Sequence, residues 1–254
     1  MTNRLFSIST ATFCSSLLLA AGSTIAGAAD AKPKTIVELF TSQGCSSCPP
    51  ADAILGELAK RDDVVAVTMP VDYWDYLGWK DTFGSPAFSA RQRGYAQKRG
   101  DGNVYTPQLV VNGIAHAVGS RPSDIETAIS TTDGIIGPEK VMIAAHPEGS
   151  ELVVEVGAEA PNGKDYKATL WLASIKREGD VKIKGGENSG LKAAYYNIVR
   201  GLTAVGPWTG KAASYHIKAK DLGKTDGDAY VLLLQADDLG VMLGGLQVAD
   251  WRTN

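Results

Sequence analysis

The chain has 254 residues, of which 44% are hydrophobic and 21% charged, with 25 Lys and Arg against 28 Asp and Glu for a net charge of −3. That composition excludes a disordered tail, and the slight acidic excess does not suggest a nucleic-acid binder, whose binding face is normally basic. The length suits one large domain or two of about a hundred residues.

Residues 1–28 read as a secretory signal peptide: Arg4 near the start, an apolar run from Phe13 to Ala21, and small residues at Ala26, Gly27, Ala28 and Ala29. The expected location is the periplasm or the exterior, reached through the general secretory pathway. Removing this segment takes away Cys14 and leaves Cys45 and Cys48 as the only cysteines.

From Lys34 to about Thr132, apolar strands alternate with helices. Thr35 to Phe40 is a β-branched and aromatic strand, followed by a turn at Ser42-Gln43-Gly44 and the run Cys45-Ser-Ser-Cys48-Pro-Pro-Ala-Asp. Ile54, Leu55 and Leu58 then mark a helix face, and Val64 to Val71 a second buried strand, parallel to the first. Asp72 to Trp79 is an aromatic connection. Ser85 and Pro86 announce the next helix, which stops at Gly100. Asn112-Gly113 signals a hairpin, and Ser123-Asp-Ile-Glu126 reads as a capping box. Beyond Pro138 no long helical period occurs. Seven short alternating runs, separated by turns such as Asn162-Gly163 and Gly185-Gly186, predict an all-β sandwich over 138–254.

The chemistry concentrates at Cys45 and Cys48. In disulfide exchange the thiolate is the nucleophile, and a helix N-terminus supplies amide donors and positive potential that favour it. Cys45 would attack and Cys48 resolve. Pro49 and Pro50 fit a first helical turn but remove two donors, leaving Ser47 and Cys48 as backbone partners for a Cys45 thiolate. Since Ser46 and Ser47 bring neither imidazole nor cation, modest acidification is expected. Thr106-Pro107 precedes another buried strand, where a cis peptide would turn the Thr106 backbone toward the dithiol.

The order strand, Cys-x-x-Cys, helix, strand, helix, Thr-Pro, hairpin, helix resembles the thioredoxin superfamily. The resemblance implies that Pro107 is the cis-proline beside the cysteines and Thr106 a partner for substrate backbone. It also implies that Glu38, in Val37-Glu-Leu-Phe40, is the buried acid that relays protons. Val37 to Asp52, Val71 to Asp81, Tyr105 to Gln108 and Gly186-Glu-Asn188 resemble, more closely, an uncharacterised family of secreted bacterial thioredoxin-like proteins. The expectation is thus an α/β thioredoxin-like domain over 30–137 with a helical insertion, followed by an all-β sandwich, acting as a thiol-disulfide oxidoreductase on thiol- or disulfide-containing proteins or small thiols. Neither a cofactor nor a membrane span is expected.

Rival readings use the same residues. The cysteines could form a structural disulfide in an oxidising compartment, or bind Cu(I) with His116 or His146 as a third donor, or belong to a non-catalytic binding module. The aromatics from Tyr73 to Tyr105 pack a helical insertion or form a groove for a peptide-like partner. Asp72 and Asp75 read as turn caps or partners of the basic helix, Glu187, Asn188 and Arg200 as turn and edge residues, and His216 as exposed.

Overall fold

A computed structural model describes residues 33–252 apart from 160–163 and 224; the expected signal peptide and the turn expected at Asn162-Gly163 lie outside the described residues. The elements in chain order are β1 (Thr35–Thr41), α1 (Pro49–Leu58), β2 (Val64–Pro70), α2 (Pro86–Arg99), β3 (Gln108–Val111), β4 (Ala115–Val118) and α3 (Pro122–Ile136). Seven strands follow: β5 (Ile143–Glu148), β6 (Glu151–Val156), β7 (Ala168–Lys182), β8 (Lys192–Trp208), β9 (Ala213–Lys218), β10 (Ala229–Ala236) and β11 (Met242–Ala249).

Local signals explain several boundaries. Ser85 accepts from the Ala87 amide at 3.3 Å and caps α2, with Pro86 in its first turn, and Gly100 ends the helix at φ 78°, a left-handed conformation suited to glycine. Asn112 and Gly113, at φ 49° and 75°, form the β3–β4 turn as expected. The Ser123 capping box does not form. Pro122 starts α3 two residues earlier than that box would, the helix has Arg121 at its cap, and Ser123 Oγ turns to the Asp124 carboxylate.

The tertiary arrangement overturns the expected α/β thioredoxin-like domain with a helical insertion over 30–137 followed by a separate all-β sandwich over 138–254. All seven C-terminal strands exist, but four of them continue the first sheet. The result is one mixed sheet of eight strands, ordered β11-β10-β7-β8-β2-β1-β3-β4, with only β5-β6-β9 forming a second sheet. Residues Ala31–Asn254 are accordingly one compact unit. The joint is made by β8, which runs parallel to β2 with Thr68 opposite Ile198. Side chains reinforce it: Thr68 Oγ1 donates to the Tyr196 carbonyl at 2.7 Å, and Asn197 Nδ2 donates to the Ala66 carbonyl at 2.9 Å. β2 is a parallel strand with an edge that needs pairing, and alternation patterns within each half carry no information about that partner.

Both faces of the sheet are covered. On one, α1 and α3 pack Leu55, Leu58, Ile125 and Ile129 against Val37, Leu39, Leu109 and Val111. On the other, Phe88 and Tyr95 of α2 join Ile36, Phe40, Val67, Val199, Val231 and Leu233. The three-stranded sheet encloses a third cluster, with Leu152, Val154 and Val156 against Leu170, Leu232, Leu234 and Trp208. β10 is covered on both sides, which accounts for its unbroken apolar run Tyr230 to Leu234. α1 lies close to β8 at Gly56, where a Cβ would sit 2.6 Å from the Tyr196 ring.

Glu38 alternates to the α2 face. Its carboxylate accepts from Arg91 Nε at 2.8 Å and from the Tyr95 hydroxyl, while Arg91 Nη2 donates to Gln235 Oε1 at 2.8 Å and Gln235 Nε2 donates to Tyr95 Oη at 2.9 Å. Burial works against the Arg91 charge, yet the Glu38 carboxylate beside it holds the guanidinium firmly protonated; burial pushes the Tyr95 phenol well above its usual range. Removing one member strands the other's charge in the core. Glu38→Ala should lower unfolding free energy by about 3–5 kcal/mol, measured by chemical denaturation, whereas Glu38→Leu with Arg91→Met should recover most of that loss. Equal losses in the single and double variants would contradict this account.

Candidate functional site

The turn between β1 and α1 carries Cys45 and Cys48, which form a disulfide with Cα atoms 5.4 Å apart. Cys48 caps α1 directly before Pro49 and Pro50, and its amide donates to the Cys45 carbonyl at 3.1 Å, closing a tight turn. Both residues are nearly enclosed, Cys45 being 2% and Cys48 0% exposed. Ser47 Oγ lies 3.4 Å from Cys45 Sγ and donates to the Thr106 carbonyl at 3.5 Å. The Thr106-Pro107 peptide is cis, and the Ser47–Thr106 hydrogen bond brings the sequence signals at 45–48 and 106–107 to one place.

Two connections grip this turn. From the β2–α2 side, Trp74 Nε1 donates to Thr106 Oγ1 at 2.7 Å, and Trp79 Nε1 donates to Gln43 Oε1 at 2.8 Å. Asp81 accepts from the Gln43 amide at 2.8 Å. Trp74 stacks with Tyr76, which is 77% exposed, while Phe88 and Tyr95 are buried in the core. The aromatic segment therefore serves both packing and surface. Asp75 accepts from the Asp81 amide and Asp72 from Ser89 Oγ, the turn-holding roles expected of them.

From the other side comes the β7–β8 connection. Asn188, buried, donates from Nδ2 to the carbonyls of Cys45 at 2.8 Å and Gln43 at 3.0 Å. Glu187 accepts from the Ser46 amide at 3.3 Å. Sequence reasoning treated both as turn residues; the only signal was the Gly186-Glu-Asn188 segment within the resemblance. The adjoining glycines are required there, since a Cβ on Gly185 would stand 2.7 Å from the Gly78 carbonyl oxygen.

Glu38, expected as the acid beneath the dithiol, faces away from α1 and is held by Arg91. The buried carboxyl on the α1 side belongs to Asp52, one helical turn beyond Cys48. Thr41 Oγ1 donates to its Oδ1 at 2.7 Å, and its Oδ2 has no partner among the described residues. Burial pushes this carboxyl well above the usual range, Thr41 opposes the rise, and the Asp81 charge adds to it. A cavity of about 170 Å³ between α1 and β8 opens beside it, lined by Pro49, Asp52, Ala53, Lys192, Ala193, Ala194 and Tyr196.

His116 is directed elsewhere. Its Nδ1 meets the Tyr105 hydroxyl at 2.8 Å and its Nε2 the Asp101 carboxylate at 3.2 Å, and no group of three His, Cys, Asp or Glu side chains with metal-binding geometry occurs among the described residues. Arg200 pairs with Asp226 and covers the Phe83 ring, and His216 meets Glu151 on an exposed strand. No helix among the described residues is long and apolar enough to cross a membrane.

No curated protein matches the chain. Among solved structures, the crystal structure of a structural-genomics target from Agrobacterium tumefaciens is similar with a TM-score of 0.74 and 32% identity, over 87% of this chain and 96% of that one. HBP35 of Porphyromonas gingivalis is similar with a TM-score of 0.56 and 12% identity, over 87% of this chain and 76% of that one, a likeness of fold. The family model described as "Protein of unknown function (DUF1223)" matches residues 36–235, and the chain belongs to that family.

Proposed function

We propose that the protein is an exported thiol-disulfide oxidoreductase of the thioredoxin superfamily, acting through Cys45 and Cys48 on disulfides of proteins or small thiols. One observation carries this reading: a redox-capable cysteine pair caps the N-terminal end of α1 directly beside the cis Thr106-Pro107 peptide. A structural staple has no need of that neighbour. The sequence of residues 1–28 supports export by the general secretory pathway.

In the reducing direction, the Cys45 thiolate attacks one sulfur of a partner disulfide. A mixed disulfide forms, and the partner's other sulfur leaves as a thiolate. Cys48 then loses its proton and attacks Cys45 Sγ, forming the intramolecular disulfide and releasing the second partner thiol. Two electrons pass to the partner, and an external thiol donor restores the dithiol. We assign Asp52 as the acceptor of the Cys48 proton; its position one turn of α1 beyond Cys48, its burial and its unpartnered oxygen support this role. Backbone amide and carbonyl groups of Thr106 provide the edge along which an extended partner segment would lie.

Cys48→Ala should trap a mixed disulfide at Cys45 with partners from an extract, visible on non-reducing gels and reversed by dithiothreitol. If nothing is trapped and glutathione buffers cannot interconvert the native pair, the oxidoreductase reading fails. Asp52 gives a second expectation. Because its carboxyl holds its proton to higher pH folded than unfolded, the stabilisation is complete in acid and is lost as pH rises from about 4 through the raised folded value. The loss reaches at most about 1.4 kcal/mol per pH unit in that window. Denaturation of the oxidised protein across this range should show that slope in the wild type and its absence in Asp52→Asn.

A further inference from the structure

The amides around the dithiol are committed unevenly. In the segment Ser46 to Asp52, the Ser46 N–H goes to Glu187, the Cys48 N–H to the Cys45 carbonyl, and those of Ala51 and Asp52 to the Cys48 carbonyl. Pro49 and Pro50 have none. Ser47 alone keeps an amide without an acceptor among the described residues. A Cys45 thiolate would therefore find one free N–H and the Ser47 hydroxyl, where an uncommitted helix terminus offers several.

The charges point the same way. The carboxyls that accept hydrogen bonds from this turn are Glu187 of the β7–β8 connection, at Ser46, and Asp81 of the β2–α2 connection, at Gln43; Asp52 lies one helical turn beyond Cys48, where Lys192 of β8 lines the same cavity. No Lys, Arg or His donates to residues 42–48 among the described residues. Negative charge near a sulfur opposes its ionisation, and a thiolate that is poorly stabilised makes the dithiol a better electron donor and the disulfide a weaker oxidant.

Resting on the oxidoreductase reading, we infer that Glu187 and Asn188 are positioning residues that poise the pair as a reductant. Asn188 fixes the Cys45 carbonyl, and Glu187 occupies the amide of the residue that follows Cys45 while adding a negative charge to the turn. The pair is thus biased toward electron donation by a connection in the C-terminal half of the chain, in addition to the Ser46-Ser47 dipeptide. Partner disulfides are the oxidants, and each turnover converts one of them to two thiols while Cys45 and Cys48 become the disulfide.

The test is the pH profile of iodoacetamide alkylation of the reduced protein, with peptide mapping to assign the label to Cys45. Wild type should titrate near the ordinary thiol value of about 8.5. Glu187→Gln keeps an oxygen acceptor for the Ser46 amide but removes the charge, and should lower the midpoint by about half a pH unit. Glu187→Ala also frees the amide and should lower it further, and its equilibrium with glutathione should shift toward the dithiol by about threefold or more. Glu187 is exposed and its replacement leaves the core intact. Identical midpoints in the three proteins, or a wild-type midpoint below about 6, would overturn the inference even if Cys48→Ala traps partners. Shifted midpoints with no trapping and no exchange would instead overturn the oxidoreductase reading and leave the electrostatic role of Glu187 standing.

Discussion

The buried Glu38 carboxylate and the Arg91 guanidinium constrain one another, because neither charge can be left alone in the core. Their hydrogen-bonded companions, Tyr95 and Gln235, come from α2 and from β10, so the polar cluster ties the first strand of the fold to a strand near its end. An isolated charge at that depth would cost several kcal/mol, and the network offsets this only when every member is present. A folded N-terminal half with an independent C-terminal half would leave the cluster incomplete. The continuous eight-stranded sheet, joined where β8 meets β2, brings the members of the cluster together.

The dithiol inherits its surroundings from that continuity. Since β8 lies against β2, the connection leading into β8 arrives over the β1–α1 turn, and Asn188 reaches two of its carbonyls. The aromatic connection after β2 closes the opposite side through Trp74 and Trp79. Cys45 is therefore shaped by three stretches of chain, of which only one contains it. Its near-complete enclosure follows from this three-sided support.

What the sequence reveals and what it conceals divide along physical lines. Cys45 and Cys48 before Pro49, the cap at Ser85, the stop at Gly100 and the turn at Asn112-Gly113 were legible because each depends on local backbone chemistry. The seven C-terminal strands were legible from alternation, but the partner of β2 was not, since an alternating pattern identifies a buried face and says nothing of which edge it meets. The resemblance implies Glu38 as a proton relay, but a likeness of strand sequence leaves open which face an acid occupies, and one step of alternation sends Glu38 to Arg91. Asp52 escaped notice because an acid in a first helical turn is ordinarily a solvated, dipole-favoured residue. Asn188 and Glu187 escaped for the same reason as the sheet joint, of which they are a consequence.

The separation between Cys45 and the side chain that holds its carbonyl, 143 residues, bears on when the protein acquires its chemistry. Contacts so distant in sequence form late, after the cost of closing a long loop has been met. While the chain is still being made or is only partly folded, the Ser46 amide has no carboxylate on it and the Cys45 carbonyl no amide, so the cysteines are already present but behave as an ordinary exposed pair. The enclosure of the pair is then complete only when folding is complete, and a chain truncated before residue 187 carries both cysteines without the environment that distinguishes them.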